Sequence, residues 1–309
     1  MARVGTLSEN NQILSYLQQN KSKADSLEQQ ITTGLKSVDF SGIAPQAAQL
    51  VSLNDQASKQ QGYIDTINTV STRLQVMGLS IGSIETLATQ FVGNLPANAY
   101  NTKGETIQQQ AQQVIAQVAG YLNTQDGTNY VFAGNKNTVP PVNTAGLPNP
   151  GSLSTSVAGA PPSGYYQGDS GVAQATVDNN VTLTYGIDAN NPAFEQFIRV
   201  LNFLANSPPF DQANPIDVAN VNKATQALNQ SVTQLQTLQG SVSLQQGQLT
   251  NQLSTHKNSL SLATSTISSI QQVDPATAIT QLTTLQTQLQ ASYQTIGILQ
   301  QLSLVNYIK

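Results

Sequence analysis

The longest regular pattern in this chain lies in residues 218–270, VANVNKATQALNQSVTQLQTLQGSVSLQQGQLTNQLSTHKNSLSLATSTISSI. Counting from Val218 in alternating steps of three and four residues gives 16 positions, of which 12 are apolar. A 3.5-residue repeat of this length predicts one long helix whose narrow apolar seam faces another long helix. At a rise of about 1.5 Å per residue, that helix is about 80 Å long.

The first third of the chain supplies a partner for that seam. The same repeat runs through nine apolar positions: Leu50, Leu53, Ala57, Ile64, Ile67, Leu74, Ile81, Ala88 and Val92. After a break around Pro96, a helical pattern continues through Ile107, Ala111, Val114, Val118 and Tyr121. We therefore expect two long antiparallel helices.

Both ends of the chain are amphipathic as well. Ten apolar residues recur there at helical spacing: Ile13, Leu17, Leu27, Ile31, Ile279, Leu282, Leu285, Leu289, Ile296 and Leu299. Two terminal helices with narrow apolar stripes and few charges cannot bury those stripes alone, whereas stacked copies can. These ten residues are therefore predicted to form an assembly interface.

Prolines separate the two helical flanks from a different middle region. Ten of the 13 prolines lie between Pro140 and Pro215, and proline in a helix interior loses a hydrogen bond and clashes with the preceding turn. Three short runs predict strands, at 127–134, 172–177 and 181–185. The Pro, Gly and Ser content of 135–164 predicts an exposed loop rather than a core.

Three dipeptides predict helix starts: Asn191-Pro192, Asn214-Pro215 and Asp274-Pro275. In each, the polar side chain can cap free backbone amides while proline takes the first helical position. The predicted fold is mainly α with a small β part, an elongated antiparallel helical rod formed by both chain ends with a central β/loop domain. The expected domains are terminal helices (1–40 and 272–309), a helical rod (41–125 and 190–271) and an outer β/loop domain (126–189).

Charged residues are scarce in this chain. Asp, Glu, Lys and Arg make up 9% of the residues, against about 25% in an ordinary soluble domain. The net charge of −4 gives no electrostatic basis for binding a phosphate backbone, so nucleic acid is not expected as a partner. The 41 glutamines provide a polar, uncharged surface that repels other copies only weakly, which permits self-association.

No segment is expected to enter a membrane. Spanning a bilayer takes about 18 consecutive apolar residues, and no stretch approaches that length. The first ten residues, MARVGTLSEN, also lack the apolar run of a secretory signal peptide. We therefore expect neither membrane insertion nor a cleaved signal peptide.

The chain offers little for catalysis. It has no cysteine and a single histidine, His256, so zinc sites and thiol catalysis are not expected. His256 falls on the seam of the 218–270 helix, where a packed histidine is the simpler interpretation. The tetrapeptide GDSG at 168–171 looks like the surroundings of a protease serine, but a catalytic triad needs a histidine beside that serine. We predict no enzyme, no cofactor and no metal site.

Four stretches of the sequence resemble the flagellin superfamily. They are QQITTGLK at 29–36, YVFAGNK at 130–136 followed by Pro140 and Pro141, YQGD at 166–169, and the C-terminal stretch 289–309. The second and third are similar to motifs of the hook-associated proteins at the hook–filament junction. The sequence departs from the family at 38–44, VDFSGIA, where the family usually has paired aspartates and a proline.

The resemblance implies a structural subunit of the bacterial flagellum, exported unfolded through the flagellar type III apparatus to the outside of the cell. It further implies that the two terminal helices form the inner layer of a tube and are disordered in the monomer. The partners it implies are copies of the same chain in a helical or ring homo-oligomer, the hook-side junction protein, flagellin and an export chaperone.

The leading interpretation is a protein of the hook–filament junction, and the filament flagellin itself is the alternative within the superfamily. Outside it, a secreted needle or translocator-type helical protein would also show long polar helices without cysteine. The YVFAGNK and YQGD motifs speak against that third interpretation.

Overall fold

The structure is a computed structural model that describes residues 2–101, 106–145, 147 and 164–305, without the side chains of 2–10, 41 and 299–305. The described residues form six α-helices: α1 Ala2–Thr33, α2 Ala47–Asn98, α3 Ile107–Leu122, α4 Pro192–Asn206, α5 Pro215–Gln271 and α6 Pro275–Val305. A short 3-10 helix, Phe40–Gln46, precedes α2. Four short strands complete the elements: β1 Gln125–Asp126, β2 Asn129–Tyr130, β3 Ala173–Asp178 and β4 Val181–Tyr185.

The three helix starts predicted from Asx-Pro pairs are confirmed. Helices α4, α5 and α6 each begin at the proline. The preceding side chain caps each helix, since Asn191 Oδ1 accepts from the amide of Ala193 at 3.1 Å and Asn214 Oδ1 accepts from Ile216 at 3.0 Å. These caps satisfy amides that a helix leaves without an internal partner.

Contacts divide the chain into two compact units, one of residues 1–59 with 258–309 and the other of residues 60–257. Within the second unit, α2 and α5 run antiparallel. Gln60 and His256 are hydrogen-bonded, and Glu85 accepts a hydrogen bond from Gln236. Residue numbers therefore increase along α2 while those of the contacting residues on α5 decrease, as in any antiparallel pair.

The core of the second unit is the seam between α2 and α5, covered by α3, α4 and the strands. Its central α2 and α5 side chains are almost fully buried: Leu74, Met77, Ile81, Ile84, Leu228, Leu235, Val242 and Leu249. The 3.5-residue repeat is therefore confirmed as a packed seam. The break predicted around Pro96 falls slightly later, because α2 continues to Asn98 before α3 begins.

The β part is smaller than predicted. Strands β3 and β4 form an antiparallel hairpin whose turn residue Asn180 has a φ of 59°, which confirms the two strands expected at 172–177 and 181–185. The strand expected at 127–134 is wrong. Only Asn129 and Tyr130 are paired there, with β1, and the flanking Gly127 and Gly134 adopt φ values of 76° and 69° that extended strands do not use.

The loop expected at 135–164 lies partly outside the described residues, which end at 145 and 147 and resume at 164. Within the described part, Val142 is buried and forms an isolated β-bridge with Tyr166. Asn123 holds this segment through two hydrogen bonds of 2.9 Å with the backbone of Val142. The prediction of an exposed loop is therefore wrong at Val142.

The helices of the described ranges contain no stretch that is both long enough and apolar enough to cross a membrane.

Replacing Leu249 by alanine tests the α2–α5 seam. Leu249 is 1% exposed, and we expect its truncation to lower the free energy of unfolding by about 2–5 kcal/mol through lost burial and a residual cavity. Leu244, on the same helix and 72% exposed, is the matched control, and its replacement should change stability by no more than about 0.5 kcal/mol. Urea denaturation measures the free energy of unfolding of both variants. Equal losses would contradict the packing of Leu249 in the α2–α5 seam.

Candidate functional site: the terminal helix pair

Gly34 follows Thr33, the last residue of helix α1. The amide of Gly34 donates to the carbonyl of Gln30 at 2.8 Å, and Gly34 has a φ of 72°. A left-handed residue at this position closes the last turn of a helix, and glycine adopts it without the clash that a Cβ brings. The chain therefore leaves α1 at a defined angle.

A short backbone bridge joins this turn to the segment between α5 and α6. The amide of Lys36 donates to the carbonyl of Gln271 at 2.7 Å, and the amide of Val273 donates to the carbonyl of Gly34 at 3.0 Å. Lys36 Nζ also donates to the carbonyl of Ser269 at 2.6 Å. The C-terminal end of a helix carries partial negative charge, so the lysine stabilises the last turn of α5.

Helix α6 starts next to this bridge. The carboxylate of Asp274 accepts from Thr277 Oγ1 at 2.5 Å and from the amide of Ala276 at 3.2 Å. These hydrogen bonds, the one from Thr277 foremost, hold the pKa of Asp274 below its ordinary value. The end of α1 and the start of α6 are thus fixed beside each other.

From that point α1 and α6 run antiparallel and pack against each other. We call these two helices the terminal pair. The covered positions of α6 follow alternating steps of four and three: Ala278, Leu282, Leu285, Leu289, Ser292 and Ile296. The covered positions of α1 do the same: Ile13, Leu17, Asn20, Ala24, Leu27 and Ile31. Each helix therefore presents a seam to the other within the same chain.

Eight of the ten residues predicted as an assembly interface lie on this seam. Leu17 is buried, and seven others are half-buried: Ile13, Leu27, Ile31, Leu282, Leu285, Leu289 and Ile296. Ile279 lies on the outside of α6 and is half exposed. The side chain of Leu299 lies outside the described residues.

Other apolar side chains of the terminal pair point away from the seam. Large parts of Leu14, Tyr16, Tyr293 and Ile298 are exposed. These four residues do not follow the 3.5-residue repeat, so a search for stripes overlooks them. Exposed apolar groups on several sides of a helix are typical of a helix that is covered by other molecules.

Helix α6 also lacks charge altogether. From Pro275 to Val305 the sequence contains no Asp, Glu, Lys, Arg or His. A helix that stays in water normally carries charged residues on its outer face, which keep molecules apart. A charge-free helix of this length instead presents Thr, Gln and apolar groups, all of which can be desolvated without burying a charge.

A groove of about 710 Å³ opens along the terminal pair. Its apolar floor is formed by Leu27 and Leu285, and its walls are hydroxyl and amide side chains from both helices. Lys23 is the single charged residue among those that line it. We call this cavity the terminal groove.

The two motifs that resemble junction proteins contact each other in the second unit. Asp169 Oδ1 accepts from the amide of Asn135 at 2.7 Å, and the amide of Asp169 donates to the carbonyl of Ala133 at 3.2 Å. Tyr166 Oη donates to the carbonyl of Asp169 at 2.5 Å. The YVFAGNK and YQGD runs therefore form one structure, which we call the motif contact.

Close packing makes glycine necessary at the motif contact. A Cβ on Gly134 would collide with the carboxylate and the carbonyl of Asp169, and a Cβ on Gly168 would lie 2.6 Å from the carbonyl oxygen of Ala133. Atoms do not approach that closely without displacement, so larger side chains are excluded at both positions.

Tyrosine and phenylalanine side chains connect the motif contact to the helical core. Tyr165 is buried and its hydroxyl donates to the carbonyl of Ala189 at 2.7 Å. Burial raises the pKa of Tyr165, so the hydroxyl stays a donor across the physiological range. Phe132 packs edge-to-face on Phe194 of α4, with ring centroids 5.8 Å apart. These aromatic residues therefore pack the motif contact against the helical core.

His256 has a structural position rather than a catalytic one. It is buried, with Nε2 2.8 Å from the carbonyl of Val177 and its ring 5.1 Å from that of Tyr63. Ser170 belongs to an exposed loop, and no hydrogen bond joins it to the histidine among the described residues. The described side chains also contain no cluster of three metal-ligating residues.

Residues 221–308 match the family model of the bacterial flagellin C-terminal helical region. This match includes most of α5 and all described residues of α6. No curated protein sequence matches the chain significantly.

Two solved structures of flagellar proteins are similar to this chain. A protein assigned as a flagellar hook-associated protein of Vibrio parahaemolyticus has 14% sequence identity and a TM-score of 0.54, over 75% of this chain and 100% of its own. FlgL of Bacillus cereus has 13% identity and a TM-score of 0.34, over 74% of this chain and 96% of its own. The first of these likenesses shows a common fold.

The family match confirms the resemblance to the flagellin superfamily over residues 221–308, and the first structure shows a common fold. The mainly α fold with long helices at both chain ends and a small central strand region is confirmed as well. The prediction that the chain is not an enzyme agrees with the comparisons, which are to flagellin and to flagellar hook-associated proteins.

Replacing Gly134 by alanine tests the motif contact. Gly127 also has a positive φ, but a Cβ there would meet no atom within 4 Å. We expect Gly127→Ala to cost about 1–2 kcal/mol of stability from backbone strain alone. Gly134→Ala should cost clearly more, about 3 kcal/mol or above, because it also displaces Asp169. Urea denaturation measures the free energy of unfolding of both variants. Equal losses would show that Asp169 moves away from the added Cβ without a cost in stability.

The charge of Asp169 gives a pH test. Hydrogen bonds from the amides of Asn135 and Gly171 hold the pKa of Asp169 below its ordinary value. The stability this carboxylate contributes is therefore complete above about pH 4 and is lost as pH falls through the lower folded-state pKa. We expect Asp169→Asn, which keeps one acceptor oxygen, to lower Tm at pH 7 and to approach the wild type as the pH falls far enough to protonate Asp169 in the folded protein. A Tm difference that stays constant with pH would contradict this account.

Proposed function

We propose that this protein is a structural subunit of the bacterial flagellum that assembles through its terminal pair, at the junction of hook and filament. The observation that carries the proposal is helix α6, which has no charged residue from Pro275 to Val305 and leaves Ile279, Tyr293 and Ile298 exposed. Covering such a surface with neighbouring copies removes apolar groups from water and desolvates no charge.

The terminal pair is proposed to be the part of the subunit through which copies assemble. Its seam residues stabilise α1 against α6, while the residues outside the seam remain for neighbours. The ten-residue interface expected from the sequence thus has two roles in this proposal, since Leu17 and Leu282 hold the pair together and Ile279 contacts other copies. In the assembled state, 1–40 and 272–309 form the inner layer, 41–125 with 190–271 the rod, and 126–189 the outer domain.

Assignment to the junction is supported by the motif contact. The YVFAGNK and YQGD runs resemble junction proteins, and their close packing gives the resemblance a physical basis at Gly134, Gly168 and Asp169. The partners of a junction subunit are copies of the same chain, the hook-side junction protein and flagellin, with an export chaperone before assembly. The filament subunit itself is the second candidate, because the matching family model is that of flagellin.

Electron microscopy of the purified protein, added to isolated hooks and to sheared filaments as seeds, separates the two candidates. A junction protein adds a short cap or ring to the seed, whereas a flagellin extends it into a long tube. A chain that binds neither kind of seed would contradict both.

The outer face of α6 can be tested by introducing a charge. We expect Tyr293→Lys to block assembly on seeds, because the ammonium group would have to be desolvated between copies. Leu262→Lys on α5 is the control, since Leu262 is also largely exposed but lies outside the terminal pair. Sedimentation with seeds measures assembly, and normal sedimentation of the Tyr293 variant would contradict an interface at this face.

Limited proteolysis tests the state of the termini. In the monomer, residues 1–35 and 275–309 should be cut rapidly, since helices of about 30 residues held by one narrow seam are only marginally stable alone. After assembly the same residues should be protected, because neighbours cover them. Termini that resist protease equally before and after assembly would rule out ordering on assembly.

A further inference from the structure

Residues 37–42, which lead from Lys36 into the first turn of the 3-10 helix and which we call the 37–42 loop, present two large apolar side chains to solvent. Val38 is 63% exposed and Phe40 is 57% exposed. Adjacent exposed apolar groups of this size on a short loop are typical of a contact surface.

The 37–42 loop is preorganised. Ser37 Oγ donates to Asp39 Oδ1 at 3.3 Å and accepts from the amide of Asp39 at 3.4 Å. Gly42 approaches Ser37 so closely that a Cβ on Gly42 would collide with it. Ile43, directly after the loop, is buried with Leu50 in a small core of the same compact unit. A loop fixed at its base and closed by hydrogen bonds loses little conformational entropy on binding.

The terminal groove has complementary properties. Its floor is apolar at Leu27 and Leu285, its walls are uncharged, and Lys23 is its single charged residue. Asp39 is in turn the single charged residue of the 37–42 loop. The volume of about 710 Å³ lies within the range of about 300–1,000 Å³ typical of pockets that hold compact apolar groups.

We infer that the 37–42 loop of one copy binds in the terminal groove of a neighbouring copy, with Phe40 on the apolar floor and Asp39 paired with Lys23. The inference rests on the proposed function, since it requires assembly of the terminal pair, and it names the contact that such an assembly uses.

The loop of the same chain is poorly placed to fill this groove. Lys36, which follows α1, is hydrogen-bonded to Gln271 at the end of α5. Lys23 lies 11 residues before Gly34, which is about 16 Å along the axis of α1. Pairing Asp39 with Lys23 of the same chain would require the loop to turn back along that length, whereas Ile43, directly after the loop, is held in the small core with Leu50 and Ile270. A copy displaced along the axis, as in a stacked assembly, brings its own loop to the groove.

Disulfide crosslinking tests the contact directly, because the chain has no cysteine of its own. Ser26→Cys places a thiol in the groove and Val38→Cys places one on the loop. The two single variants are mixed, assembled on seeds, oxidised and run on a denaturing gel. We expect a disulfide-linked dimer from the mixture and not from either variant alone, since a disulfide needs Cα atoms within about 7 Å.

A mixture of Ser26→Cys with Leu244→Cys is the control for random collision, because Leu244 is exposed and lies outside the terminal pair. Sedimented particles whose Ser26/Val38 mixture gives no more dimer than this control would overturn the inference and leave the proposed function standing. An internal disulfide in the monomeric Ser26/Val38 double variant would also overturn it, by making the chain's own loop the occupant. A chain that does not sediment with seeds contradicts the proposed function as well.

A charge exchange gives an independent measurement. Asp39→Lys and Lys23→Asp should each raise the protein concentration needed for assembly about tenfold, and the double variant should restore it. Asp65→Lys, the same charge change on an exposed position of α2 outside the terminal pair, should leave it unchanged. Additive losses in the double variant, or equal effects of Asp39→Lys and Asp65→Lys, would overturn the pairing of Asp39 with Lys23.

Discussion

Two backbone hydrogen bonds between residues 34–36 and 271–273 set the register of both chain ends. They bring the end of α1 and the start of α6 to one point, from which the two seams run side by side. In an α-helix a slip of one residue turns a side chain by about 100°. Leu17 and Leu282 therefore face their partners only while this bridge keeps the helices aligned, which is why glycine at position 34 matters to residues far along α1.

The terminal pair uses different residues for packing within the chain and for contacts between copies, two roles that a single apolar stripe cannot fill. A stripe used only between copies would leave the monomer with two unpartnered helices, whereas a stripe used only within the chain would leave nothing to assemble. Here the seam is half-covered by the chain itself, and the outer residues Leu14, Tyr16, Tyr293 and Ile298 remain exposed. The absence of charge on α6 makes these outer faces suitable for neighbours.

Much of the helical architecture can be predicted from the sequence. The seam of α5 follows from its 3.5-residue repeat, and three helix starts follow from Asx-Pro pairs, because both signals are local. The strand expected at 127–134 fails for a non-local reason. Val131 and Phe132 have high β-propensity, but the carbonyl of Ala133 is taken by Asp169, which is distant in sequence. Positive φ at the flanking glycines then completes a turn.

The candidate site is predicted only in part, for a similar reason. A search for apolar stripes finds the seam residues of α1 and α6. It does not show that these residues pack against each other within one chain. Outer residues such as Tyr293 break the repeat, and the signal that marks them is the long stretch without charge. The 37–42 loop has no periodic pattern of apolar residues. The sequence alone therefore does not show that Ile43 is buried while Val38 and Phe40 are exposed.

The charge-free surface of α6 has a thermal consequence. Association that buries apolar groups lowers the heat capacity of the system, so its free energy becomes less favourable on cooling. Ion pairs, which would hold an interface together in the cold, are missing along the whole of α6. In the proposed assembly, cooling therefore weakens the contacts that α6 makes and warming strengthens them, so temperature rather than pH controls the strength of the contacts of this helix.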